Sequence, residues 1–258
     1  MSDGTIHLSI QDGIASLLID RPEARNAMTW SMYDALAAAC DKLQDDPDVR
    51  VATIRGVGGK AFISGTDIEQ FRDFSGAEDG VRYESAVEAY VSKLEKLPFP
   101  TLAIIDGYAM GGGLALAAAC DFRIAAPEAV FGVPIARTLG NCLSANNTAR
   151  LLASFGPDRV ARMLILAESI KAEEAHACGF VHEIVAADQL EARAKVLCER
   201  LSGNAPLTMK AAKETMRRII AGDSSSNEDL IRECYGSRDF RTGMDAFLEK
   251  KKPLWIGR

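Results

Sequence analysis

The chain has 258 residues, 48% of them apolar and 26% charged, and carries a net charge of −6. That is apolar material enough for one large domain, or a domain with a small helical appendage. The acidic balance excludes a general nucleic-acid surface, which is normally basic. The most apolar stretch, Gly107 to Cys120, has only 14 residues and four glycines, too short and too glycine-rich for a membrane span. No basic segment followed by an apolar one opens the chain, so no secretory signal is expected. Six cysteines (Cys40, Cys120, Cys142, Cys178, Cys198, Cys234) are scattered without a CxxC pair. A metal or redox site is therefore not expected, and reduced thiols suit a soluble protein of the cytoplasm.

In chain order, Ile6–Ile10 and Ile14–Ile19 read as strands joined across Asp12-Gly13, a strong hairpin signal. After a polar loop, Thr29 is placed to cap a helix running to about Asp46, with Met32, Leu36, Ala39 and Leu43 on one face. Val51–Arg55 reads as a short buried strand and Gly56–Gly59 as a turn. Helical segments follow around Ile68–Phe74 and Val81–Leu97, then a strand over Thr101–Ile105. Next come a glycine-rich turn, a small-residue helix to Cys120, and a strand over Phe122–Ala125. Val181–Val185 reads as the last strand, and the pattern from Gln189 onward is helical, interrupted near Gly203 and Gly222. Strands alternating with helices predict an α/β fold, with a strandless helical tail whose apolar faces suit docking on a neighbouring subunit.

Several motifs fail on inspection. Gly56-Val-Gly-Gly-Lys60 lacks both the leading glycine and the trailing hydroxyl of a phosphate loop, since Ile54 and Ala61 stand there. No GxSxG elbow occurs, and nothing marks a catalytic triad around His7, His176 or His182. Two segments are informative. In Lys60-Ala-Phe-Ile-Ser-Gly-Thr-Asp-Ile68 a strand end gives way to a small-residue turn, with Asp67 able to cap the next helix. In Gly107-Tyr-Ala-Met-Gly-Gly-Gly-Leu114 three glycines between a strand and a helix allow a ligand close to the backbone. Such turns leave N–H groups unpaired. Either alone is as readily a tight turn.

Together, in this order and spacing, the two segments resemble those of the enoyl-CoA hydratase/isomerase (crotonase) superfamily. Arg21–Met28 resembles its early CoA-contact loop, Phe131-Gly132 and Pro134 its segment leading into the active site, and Asp245–Lys250 its terminal helix. The resemblance covers essentially the whole chain. It implies an α/β, ClpP/crotonase-like spiral of ββα units (residues 1–195) with a C-terminal helical trimerisation region (196–258), assembled as a homotrimer or homohexamer. It implies an acyl-CoA thioester substrate, no separate cofactor, and an oxyanion hole made by the N–H groups of Thr66 and Gly112. Losing one such donor typically costs about 2.7–4 kcal/mol of barrier. Carried over residue by residue, Arg25 and Ala27 would follow the nucleotide and pantetheine. Ser64, Asp67 and Ile68 would offer backbone to the adenine end, while Lys60, Phe247 and Lys250 would surround phosphate and adenine, the last two from a neighbouring subunit. Gly111, Pro134, Ile135, Thr138 and Asn141 would line the acyl side. Glu69 stands where many relatives are basic, so no phosphate contact is expected there.

The resemblance is incomplete where hydration is concerned. Hydratases of this family use two glutamates, and the matching positions here are Ala115 and Ile135. The stretch Pro134–Gly140 is one residue longer than usual, but no acid lies between Asp106 and Asp121, or between Glu128 and Asp158, to take either place. Positioned acid–base groups contribute about 10²–10⁴-fold each, so efficient two-glutamate hydration is not expected. The polar segment Arg137–Asn147 supplies alternatives: Arg137 for a carboxylate, Asn141 and Ser144 for a water, Cys142 as nucleophile. Each has an ordinary alternative as cap, buried thiol or surface charge. Acids after Asp67 (Asp73, Glu84, Glu88) are within reach of a pocket, although surface solvation is their ordinary role. A hydratase-like lyase is the leading expectation. Isomerase, decarboxylase, thioester hydrolase and a silent acyl-CoA-binding homologue stay open.

Overall fold

The computed structural model describes residues 3–223 and 225–258. Strands β1 (Thr5–Gln11) and β2 (Ile14–Asp20) form an antiparallel hairpin. Asp12 and Gly13 turn it with φ of 51° and 75°, the two left-handed residues that match the strands' own twist. Helix α1 (Trp30–Gln44) starts where the Thr29 side chain accepts the Met32 N–H, as capping at a polar-to-apolar boundary predicts.

The next three units share a plan: β3 (Val51–Gly56), β4 (Ala61–Ile63) and α2 (Ala77–Glu95); β5 (Thr101–Ile105), β6 (Tyr108–Met110) and α3 (Gly112–Ala119); β7 (Phe122–Ala125), β8 (Val130–Gly132) and the one-turn α4 (Ile135–Thr138). Helices α5 (Ala145–Phe155) and α6 (Pro157–Leu164), strand β9 (Ser169–Lys171), helix α7 (Ala172–Ala177) and strand β10 (Glu183–Ile184) complete this part. The first strand of each unit enters a six-stranded sheet of order β1-β2-β3-β5-β7-β10; the second enters a four-stranded sheet of order β4-β6-β8-β9. Pairing is parallel except at β1–β2 and β8–β9. The chain therefore climbs as a spiral, placing the β4 and β6 ends side by side.

Parallel strands buried on both faces need continuous apolar runs, and every residue of β5 is buried. One face packs against α1, α2 and α3 through Leu17, Leu36, Ile54, Val91, Ala103 and Leu116. The other face packs under α8 (Leu190–Ser202) through Leu102, Ile104, Ile124, Leu190 and Leu197. The expected division between residues 195 and 196 thus falls inside a helix that covers the sheet. Beyond α8 the chain continues through α9 (Pro206–Ile220), α10 (Glu228–Gly236) and α11 (Arg238–Leu248). Lys213 pins α9 to the core by its bonds to Asp121 Oδ2 (2.7 Å) and Phe99 O (3.1 Å).

Three strands escape the sequence reading: β6, β8 and β9 have three residues each, shorter than any alternation can reveal. Tyr108–Met110, read as part of a glycine-rich turn, is one of them. The expected strand over Val181–Val185 shrinks to Glu183–Ile184. Ile68–Phe71 is a 3-10 turn, and α2 starts at Ala77, earlier than the expected Val81. There Asp79 reaches back to accept the N–H groups of Ser75 (2.7 Å) and Gly76 (3.0 Å), and these bonds hold its carboxyl down at about 2. Among the described residues no helix is long and apolar enough to cross a membrane.

Candidate active site

The loop before α1 frames one wall. Asn26 is fully buried in a left-handed conformation. Its side chain donates to Val57 O and Ala61 O (both 2.9 Å) and accepts from Arg21 N (3.0 Å). Arg21 in turn donates to Asp67 Oδ2 at 2.6 Å and to Ala27 O at 3.1 Å. This fixes Met28, which forms an isolated parallel bridge with Thr66: Met28 N donates to Gly65 O (2.8 Å) and Asp67 N to Met28 O (2.9 Å). In a parallel bridge the residue facing its partner has its neighbours' polar groups consumed while its own N–H points the other way. That residue is Thr66. Its N–H has no acceptor among the described residues.

The other wall is the β6–α3 turn. Gly111 has φ 52° and ψ −121°, a region essentially closed to residues with a Cβ. Its N–H is taken by Gly132 O (2.9 Å). Gly112 is the first residue of α3, where the helix offers its N–H no partner, and none is found among the described residues. A Cβ at Gly113 would run into Ile63 O, so its absence lets α3 close onto the end of β4. The walls touch: a Cβ built on Gly111 would lie 3.9 Å from Gly65 Cα, and one on Gly112 would lie 3.6 Å from Thr66 Oγ1. Two unpaired amides, one at a helix start with its positive dipole end, open into one cavity.

That cavity has a volume of about 360 Å³ and is lined by Thr66, Gly112 and neighbours from α2, α4 and α5. The Thr66 hydroxyl is held by Tyr83 OH (2.7 Å) and Tyr33 OH (2.9 Å). Burial pushes the Tyr83 hydroxyl up to about 12 and raises Tyr33 too, so both keep their protons at neutral pH. A stack of Tyr33 on Tyr90 (5.2 Å) and an edge contact of Phe71 with Tyr83 (4.7 Å) hold the pair in place. A second, mostly apolar cavity of about 700 Å³ adjoins, sharing Phe71, Tyr83, Glu84, Leu139, Asn141 and Leu143 with the first. A larger hollow of about 1100 Å³ lies among α9, α10 and α11 with no residue of either glycine turn in its lining; it lacks the paired amides, so the smaller cavity is the candidate site.

Of the expected site residues, Thr66, Gly112, Arg25, Ser64, Ile68, Gly111, Pro134, Ile135, Thr138 and Asn141 line this cavity together with Ala115. Arg25 stands at the mouth, its guanidinium 5.7 Å from the Tyr108 ring centre. Ala27, Lys60 and Asp67 do not line it: Asp67 is spent on Arg21 and on capping Glu69 N, and Lys60 is exposed in the β3–β4 turn. Of the backbone expected at the adenine end, the N–H groups of Ser64 and Asp67 are taken by Arg25 O and Met28 O. Phe247, 83% exposed, and Lys250 lie at the far end of the C-terminal helices. Ser144 caps α5 by accepting Asn147 N (3.1 Å), and Arg137 is not among the residues that line the cavity. Cys142 borders only the adjoining cavity. Asp73 is exposed, and Glu88 is bound to Arg150. Glu84, one of the acids expected within reach of a pocket, is the one carboxylate among the described residues that line the cavity. Asn147, the last residue of the polar segment that begins at Arg137, lines it as well.

A family model described as enoyl-CoA hydratase/isomerase matches residues 9–258. The chain is 34% identical to the crotonyl-CoA hydratase of Syntrophomonas wolfei over 263 residues, covering 100% of both chains. It is 29% identical to the short-chain-enoyl-CoA hydratase of Clostridium acetobutylicum, covering 98% of this chain and 97% of that one. Among solved structures, an enoyl-CoA hydratase/carnithine racemase from Magnetospirillum magneticum superposes with a TM-score of 0.90 at 30% identity, covering 99% and 98% of the two chains. An enoyl-CoA hydratase from Bacillus anthracis superposes with a TM-score of 0.87 at 28% identity over the full length of both. With the spiral fold, the paired glycine turns and these matches in agreement, the chain belongs to the enoyl-CoA hydratase/isomerase family, the crotonase superfamily, and is an acyl-CoA-processing enzyme of that family.

Proposed function

We propose that this enzyme binds an acyl-CoA thioester with the carbonyl oxygen between the N–H groups of Thr66 and Gly112, and that these donors stabilise the enolate formed when the adjacent carbon loses a proton. The observation that carries this reading is the pair of partnerless main-chain amides on touching walls of one cavity. Preorganised donors matter most where charge develops, because they need no reorganisation during the reaction. Arg25 at the mouth suits the phosphates of CoA. The same reading has the apolar faces of α9 to α11 buried in a homotrimer or homohexamer, which would bring Phe247 and Lys250 to a neighbour's substrate. The test is the infrared carbonyl band of a bound ¹³C-labelled acyl-CoA thioester. A shift to lower frequency on binding is expected, and an unshifted band with bound ligand would remove the oxyanion hole from the account.

Hydration of a simple enoyl-CoA, the activity named for several relatives, fits this cavity less well. Ala115 and Ile135 line it where family hydratases carry their two glutamates. Crotonyl-CoA hydration by the pure enzyme is expected well below the efficiency of fast enzymes; a kcat/KM of about 10⁷ M⁻¹s⁻¹ or more would refute this.

A further inference from the structure

Enolate formation requires a group that accepts the proton. Among the described residues lining the cavity, Arg25 offers donors and no acceptor atom, Tyr83 stays protonated, and Tyr108 packs against Arg25. Glu84 remains. It follows Tyr83 on α2, and with Val87 one turn later it presents that helix face to the cavity. Its Oε2 accepts the backbone N–H of Ser144 at 2.8 Å, which fixes the carboxyl between α2 and the start of α5. Its Oε1 has no hydrogen-bond partner among the described residues. The cavity wall that Glu84 shares includes the apolar Ala115, Val87, Ile135, Leu139 and Leu143.

Burial, then Tyr83 and to a smaller degree the Glu84 charge raise the Tyr33 hydroxyl, which itself bonds Thr66 Oγ1. Burial raises the Glu84 carboxyl above the ordinary glutamate range; the Ser144 N–H opposes this and the Glu88 charge adds to it. The other charged groups near this face are accounted for: Glu88 and Glu95 are both paired with Arg150, and Arg25 stands at the mouth. A carboxylate with a raised pKa is a stronger base, and it is suited to take and return protons near neutral pH.

We propose that Glu84 is the acid–base group of this site, and that its free oxygen removes the proton from the carbon beside the thioester carbonyl. This rests on the enolate reading above. In the step, the C–H bond breaks and its electron pair forms a carbon–carbon double bond. The carbonyl π pair moves to oxygen, facing the N–H groups of Thr66 and Gly112, and the proton ends on Glu84. Returning that proton to the same carbon exchanges it. Returning it two carbons farther, when a 3,4-double bond is conjugated with the enolate, moves the double bond to the 2,3-position. Neither course consumes water or needs a second carboxylate. The class of reaction this site favours is thus a single-base 1,3-proton transfer in an unsaturated acyl thioester, rather than water addition.

The experiment follows 3-hexenoyl-CoA in D₂O, reading deuterium at C2 by mass spectrometry, with the carbonyl band of the bound ¹³C-thioester and the Kd measured alongside. The wild-type enzyme is expected to exchange above the buffer rate. Glu84→Gln is expected to lose at least about 10²-fold while keeping the band shift and a Kd within about threefold, since the amide still accepts the Ser144 N–H and carries no base. The wild-type rate is expected to rise with pH through a midpoint above that of ordinary glutamate, because the ionised form is the active one. A Glu84→Gln rate within about threefold of wild type overturns the assignment. So does a wild-type enzyme that shifts the carbonyl band but does not exchange, an outcome that leaves the oxyanion hole standing. An unshifted band removes both.

Discussion

Gly112→Pro in a Tyr33→Phe background is expected to slow α-proton exchange by about 10²–10³-fold, the usual cost of one oxyanion donor. The design follows from local geometry. Gly112 opens α3, and the first helical position is where proline fits best because its N–H lacks a helical partner in any case. The residue before a proline must be extended, and Gly111 at φ 52°, ψ −121° is the mirror image of an extended residue, open to glycine alone. The obstacle is Tyr33, whose hydroxyl would lie 2.8 Å from a Cβ at Gly112; replacing it by phenylalanine removes that atom, and Thr66 keeps its bond from Tyr83. The matched control is Tyr33→Phe with Gly112→Ala, which introduces the same Cβ and retains the N–H. The difference in exchange rate between the two double variants, read with the carbonyl band, isolates one amide. Equal rates would mean that the Gly112 N–H does not hold the developing charge.

Why the two glycine turns stand out in the sequence, and the proposed acid–base group only as one acid among several, has a physical reason. A backbone donor imposes demands on residue type along the chain. Gly111 must tolerate a positive φ, Gly113 must let α3 close on Ile63, and the Met28–Thr66 bridge needs a short turn after β4. These leave a local signature, and it is the family resemblance that pairs the two segments. Glu84 leaves none. It lies on a helix with Glu78, Asp79, Glu88 and Glu95, and nothing in the run of acids distinguishes it. Only the approach of Ser144, 60 residues away along the chain, turns it into a wall of the cavity. The strands divide the same way. β2, β3 and β5 are apolar runs of five to seven residues and declare themselves, whereas the second strand of each spiral unit is three residues long and is defined by its partners. Lys60, Phe247 and Lys250 rest on the resemblance alone, and a single subunit does not bring them to the cavity.

Arg150→Met is expected to destabilise the fold by about 3–5 kcal/mol, the usual result of stripping one partner from a buried ionic cluster. Arg150 is only 7% exposed. It donates to both oxygens of Glu95 and both oxygens of Glu88, all at 2.8 Å, and to Asn147 Oδ1 at 2.9 Å. Without it two half-buried carboxylates are left unpaired on one helix face. Acid should narrow the deficit. Burial alone would raise the Glu88 carboxyl, but the Arg150 bonds more than offset this and leave it below its ordinary 4.5. Its contribution to wild-type stability is thus present above that value and lost as pH falls through the lower folded-state one. In Arg150→Met the sign reverses: the stranded carboxyl is raised, so protonation relieves the variant first. Urea denaturation at pH 7 and pH 5 is expected to show the smaller gap at pH 5. Arg150→Lys should recover little, because one ammonium cannot span two carboxylates as the planar guanidinium does. Adding Glu88→Gln and Glu95→Gln to Arg150→Met should recover more than half of the loss, since it is unpaired charge rather than packing that the single change creates. The same cluster clamps α5 to α2, and hence Ser144 to Glu84, so Arg150→Met should also slow proton exchange under conditions where it is still folded. A variant that unfolds as wild type does at pH 7 would show that α2 and α5 are held together by their apolar contacts, with the ion cluster contributing nothing net.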